Sequence, residues 1–135
     1  MPAILTKPVM DVGMVTDDAA ASLAFFRDLL GFAPAGAVPV PGIGTVHRLA
    51  CGDTMFRIFE RETAAPVRAN DGDFAQETGL RYLTLEVSNL DELVEAAVCA
   101  GYPNPVPPRA LRPGVRVAQI SDGRGITVEL MQHEG

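Results

Sequence analysis

Cysteine is nearly absent from this chain. Cys51 and Cys99 are the only two, and no C-x-x-C spacing occurs. A thiolate zinc site needs closely spaced pairs, so that class is set aside. The N-terminal stretch MPAILTKPVM lacks the basic-then-apolar layout of an export signal. Two free thiols in a reducing cytoplasm follow as the expectation, with Cys99 packed in a core as a small hydrophobe. Basic charge is also scarce. Eleven Lys and Arg stand against 17 Asp and Glu, giving a net charge of −6 and a pI near 4.8. Such a surface repels phosphate backbones, so nucleic acid is not an expected partner. No apolar run is long enough to span a bilayer, so no membrane partner is expected. Histidine occurs twice, as His47 and His133.

What is present is an ordinary globular composition, 47% hydrophobic and 21% charged, in 135 residues. That length suits one domain over residues 1–135 with a real core. Val9 to Thr16 reads as a strand. Asp17 or Asp18 then caps a helix whose inner face carries Leu23, Phe26 and Leu30, flanked by Phe25 and Leu29, with Gly31 as its stop. APAGAVPVPGIG, residues 33 to 44, reads as irregular. TVHRLAC and TMFRIFE flank Gly52-Asp53 and read as a hairpin. Residues 62 to 79 are polar and rich in turn formers, which marks a linker or a loop over a site. RYLTLEV alternates strictly, with Tyr82, Thr84 and Glu86 on one face. Ser88 or Asn89 caps a second helix, Asn89 and Glu92 resembling a capping box. Leu90, Leu93, Val94, Ala97 and Val98 form its apolar stripe, which Gly101 ends. After the Pro-rich YPNPVPPRALRPG come the strand candidates VRVAQIS and ITVELMQ, joined by Asp122-Gly123-Arg124-Gly125.

The two halves repeat one order. Aligning VTDDAAASLAFFRDLLGF with EVSNLDELVEAAVCAGYP sets Asp11 opposite Tyr82. Aligning TMFRIFE with ITVELMQ sets Arg57 opposite Glu129, and the two offsets agree within one residue. Each half is a βαβββ module of roughly 55 residues, too small to bury a good core alone. The modules run over about 8–61 and 80–132, joined by the linker at about 62–79.

DVGMVTDDAAASLAFFRDLLGF resembles the opening module of the vicinal oxygen chelate superfamily, which includes glyoxalase I, bleomycin-resistance proteins and extradiol dioxygenases. RYLTLEVSNLDELVEAAVCAG and DGRGITVELMQ resemble its second module. The resemblance covers roughly residues 9 to 132. It implies an α+β fold: two βαβββ modules forming curved mixed sheets around a cavity, with helices outside, and a homodimer.

Metal-binding members take ligands at the start of each module's first strand and the middle of each last strand. Carried to this sequence, those places hold Asp11, Arg57, Tyr82 and Glu129. Only Glu129 matches the usual ligand pattern. Arg57 cannot ligate, because a guanidinium stays charged and offers no lone pair. No metal or other cofactor is therefore expected. The runner-up is one divalent ion held by Glu129, Asp11 and His47. Period-two alternation sets Gly13, Val15, Met55, Phe59, Thr84, Glu86, Thr127 and Met131 around the four. His47 is a further candidate to touch substrate, its face depending on strand register.

The expected function is a small-molecule enzyme of glyoxalase-like type, a lyase, isomerase or cyclase, using metal-free acid–base chemistry in an apolar cup. Arg57 would clamp a carboxylate or enolate. Asp11 or Glu129 would take a proton, if burial raises its pKa, and Tyr82 would donate to a carbonyl oxygen. Two alternatives stand beside it: a ligand-sequestering resistance or binding protein, and a divalent-metal lyase or dioxygenase with atypical ligands.

Overall fold

The computed structural model describes residues 1–68 and 74–134. The chain divides into two compact units, Met1–Pro66 and Val67–Gly135. Each is a four-stranded mixed sheet with one helical segment against it. The proposed linker at 62–79 straddles the division, and its residues 69–73 lie outside the described residues.

In the first module β1 (Val12–Thr16) leads into α1 (Ala19–Leu23), then β2 (Ala33–Val40), β3 (Gly44–Cys51) and β4 (Thr54–Arg61). The sheet order is β1-β4-β3-β2, with β1 parallel to β4 and the other pairs antiparallel. Asp18 caps α1, its side chain accepting from the Ala21 N–H at 3.1 Å. Beyond Leu23 the helix widens into a π-helical stretch, Ala24–Leu29. The expected 3.6-residue face therefore shifts. Phe25 and Phe26 both turn inward and are fully buried, while Leu23 and Leu30 are half-buried. Phe26 stacks on Phe56 of β4 at 4.5 Å, and Phe32 meets the same ring edge-on at 5.6 Å. Met14, Leu49 and Ile58 complete this core.

The second module repeats the plan. β5 (Leu83–Glu86) is followed by α2 (Leu90–Cys99), β6 (Val106–Arg112), β7 (Val115–Ser121) and β8 (Thr127–His133), in the sheet order β5-β8-β7-β6. Leu90, Val94 and Ala97 of α2 are buried, as are Ala118, Ile120, Val128 and Leu130. Gly31 and Gly101, at φ +80 and +89, end the two helical segments.

Three expectations are corrected. Residues 33 to 40 form an edge strand. Its prolines are tolerated because an edge need not donate on its open side, and a bulge between Pro34 and Ala37 absorbs the misfit. The second Pro-rich segment yields the edge strand β6 in the same way. Cys99 is exposed rather than in the core, because it follows Val98 onto the outer side of α2. Asn89 occupies the N-cap position of α2 but makes no capping hydrogen bond with its side chain. The acceptor comes from β8 instead, where Gln132 Oε1 takes the Leu90 N–H at 2.9 Å. Glu60 does the same in the first module, its Oε2 taking the Ala19 N–H at 3.3 Å.

Candidate functional site

In each sheet one face packs on the helix; the other is open in the first module, whereas in the second its β7 residues Val115, Val117, Gln119 and Ser121 are buried. Register assigns the residues, because directly paired residues share a face. On the open face of the first module Gly13 pairs with Arg57 and Val15 with Phe59. Arg48 pairs with the same Arg57, Val46 with Phe59, and Ala50 with Met55. Asp11 lies just before β1 and reaches the same side. Its Oδ1 accepts from the Met55 N–H at 2.9 Å and from Lys7 Nζ at 3.0 Å, and its Oδ2 faces Arg57 Nη1 at 3.4 Å. The Met55 N–H, and then Lys7, hold the Asp11 carboxyl below the usual aspartate value, with Arg57 adding to this. The expectation that burial would raise it is reversed. Asp11 stays charged and is a weak proton acceptor.

His47 pairs with Ile58, on the helix-facing side. Its Nε2 lies 3.4 Å from Glu60 Oε1, beneath the start of α1. It therefore does not share a face with Arg57. This removes it from the open face as a substrate contact, and it cannot join Asp11 around one ion.

On the face of the second sheet turned away from α2, Glu129 stands between Thr84 of β5 and Gln119 of β7. The Thr84 hydroxyl donates to Glu129 Oε1 at 3.2 Å. Glu86 pairs with Met131 in register, and its carboxylate lies 3.3 Å from His133 Nε2. Thr127 pairs with Ser121 and is buried. Tyr82, two residues before Thr84, is 44% exposed and meets Phe74 edge-on at 5.3 Å.

Two residues of these faces were missed by reading the sequence. Arg48 sits directly across from Arg57, its Nη2 donating to the Ala35 carbonyl at 2.8 Å. Gln119 is only 4% exposed, and its Oε1 is buried without a partner among the described residues. A signal for Arg48 did exist. A two-residue hairpin that pairs Cys51 with Thr54 forces Arg48 opposite Arg57 by counting back.

A divalent ion needs several N or O donors converging with free lone pairs. Arg57 has none, and both oxygens of Asp11 are engaged by Lys7, the Met55 N–H and Arg57. The first module's two positions do not fit a cation.

The model of the Glyoxalase/Bleomycin resistance protein/Dioxygenase superfamily matches residues 9–130. The chain belongs to that superfamily. Among solved structures, a glyoxalase family protein from Bacillus cereus superposes with a TM-score of 0.81 at 17% identity, over 98% of this chain and 100% of that one. A glyoxalase family protein from Enterococcus faecalis gives 0.72 at 20%, over 93% and 98%. The fosfomycin resistance protein FosX from Listeria monocytogenes, solved with Mn(II) and sulfate, gives 0.68 at 14%, over 96% and 93%. At these identities the likeness is one of fold. No curated protein matches the chain.

Proposed function

We propose that the chain is a glyoxalase-like enzyme, a lyase, isomerase or cyclase, that processes a small molecule by acid–base chemistry without a metal ion. One observation carries the reading. At a position where the superfamily takes a metal ligand, this chain presents a guanidinium on the open face, tethered to Asp11. A fixed positive charge there serves an oxyanion in place of an ion. Arg57 holds a carboxylate or an enolate oxygen of the substrate. Asp11, kept charged, orients Arg57. Glu129, with one oxygen held by the Thr84 hydroxyl, takes and returns the proton. Tyr82 donates to a carbonyl oxygen. Among the described residues no helix is long and apolar enough to cross a membrane. A homodimer in the cytoplasm belongs to the same reading, and light scattering tests the dimer.

Turnover is screened on small carbonyl and aromatic metabolites with purified protein. Glu129→Gln and Arg57→Met are expected to abolish it with little change in melting temperature. Turnover unaffected by both sinks the proposal. The Asp11–Arg57 pair also suits a second reading, a protein that sequesters its ligand; recovery of a bound compound chemically intact after long incubation favours it. Stoichiometric Zn, Ni, Mn or Fe in freshly purified protein overturns the metal-free part.

A further inference from the structure

Arg48 and Arg57 face each other directly across β3 and β4. Side chains so paired stand about 5 Å apart at Cβ, and like charges there repel. Little within the chain relieves them. Arg57 meets one carboxylate, Asp11, at 3.4 Å, and that group is shared with Lys7. Arg48 forms no ion pair among the described residues. Its Nη2 is held by the Ala35 carbonyl at the bulge of β2, and its Nε is buried without a partner among the described residues. The bulge therefore fixes a guanidinium beside a second one and leaves the charge uncompensated. An oxyanion is the missing member.

A second observation is independent of charge. Gly13, the second residue of β1, pairs with Arg57 on the other side. Its φ is not positive, and a Cβ added there would meet nothing within 4 Å. Neither backbone conformation nor steric crowding within the chain requires glycine there, and glycine weakens a strand. A strand glycine with open space beside it leaves room for close approach by a ligand. Beside this charged row lie Val15, Val46 and Phe59, an apolar floor on the same face.

We propose that the open face of the first module binds a small organic acid. Its carboxylate or phosphonate oxygens lie against Arg48 and Arg57 over Gly13, and its apolar body lies along Val15, Val46 and Phe59. The inference rests on the reading that this chain takes a small-molecule substrate, and it names the class of that substrate.

Calorimetric titration with benzoate, phenylphosphonate, benzamide and inorganic phosphate tests it. Benzoate or phenylphosphonate should bind, and the tighter of the two names the head group. Benzamide, isosteric but neutral, should not bind. Arg48→Met should weaken binding at least about tenfold. Gly13→Val should weaken it similarly while leaving the melting temperature unchanged or higher, since valine suits a strand better than glycine. That split separates a filled site from a damaged fold. Failure of both acids to bind, or undiminished binding by Arg48→Met, overturns the proposal. Phosphate binding as tightly as phenylphosphonate overturns the apolar half. Should Glu129→Gln and Arg57→Met abolish turnover while Arg48→Met neither weakens benzoate nor alters KM, this inference falls and the enzymatic reading stands.

Discussion

The N-terminus of α2 is secured from another strand, and that can be measured. Replacing Gln132 by methionine keeps the length of the side chain and removes the acceptor for the Leu90 N–H, now 2.9 Å away. Leu90 is fully buried, so water does not readily replace the lost partner. An unsatisfied buried donor costs about 1–2 kcal/mol, and loss of a helix cap costs about 1. For a chain of 135 residues the unfolding entropy near 60 °C is about 0.28 kcal/mol/K, so about 1–2 kcal/mol lowers Tm by about 4–7 °C. Asn89→Ala removes a side chain that makes no capping bond and should cost about 0.5 kcal/mol or less, below about 2 °C. Gln132→Glu keeps an acceptor and adds charge that favours the helix N-terminus, so it should stay near wild type. Differential scanning calorimetry on the four proteins decides. A larger drop for Asn89→Ala than for Gln132→Met would refute the assignment of the cap to β8.

Two further expectations concern acid and close packing. Asp11 and Asp91 have folded pKa values below the usual aspartate range, through the Met55 N–H and Lys7 in one case and the Arg116 guanidinium in the other. Their stabilisation is therefore fully present above the unfolded aspartate value and is lost as pH falls through the depressed folded values. Carboxyl NMR titration should show both ionising below the usual aspartate range, and Lys7→Ala should move Asp11 upward. Gly44→Ala should cost about 1–3 kcal/mol of stability, read as a lower urea midpoint, because its Cβ would collide with the Glu60 carbonyl oxygen and the Arg61 Cα. Gly13→Ala, which meets open space, should not.

Much of the fold was legible because each signal was local. Gly31 and Gly101 stop the helices, Asp18 caps the first, and alternation in RYLTLEV separates Leu83 and Leu85 from Thr84 and Glu86. The duplication was readable because paired anchors kept their spacing. What could not be read depends on partners distant in sequence. Pro34 and Pro39 read as loop until β3 supplies the edge they pair with. Asn89 carries the right chemistry for a cap, yet Gln132, 43 positions later, takes the role. The π-helical turn that brings Phe25 and Phe26 inward together answers to packing on Phe56, not to local propensity. Of the candidate site, the sides of Arg57, Met55, Phe59, Thr84 and Glu129 followed from alternation. The sides of His47 and Arg48 depend on hairpin register: the Cys51–Thr54 turn pairs them with Ile58 and Arg57.

β4 and β8 each carry two separate instructions on alternate residues. Phe56, Ile58 and Glu60, like Val128, Leu130 and Gln132, secure the helix; Arg57 and Glu129, between them, do not. A lineage can therefore rewrite what its site recognises one codon at a time without disturbing the scaffold. Arg57 stands at one such position, so a change there alters the open face and leaves Phe56 and Ile58 in the core.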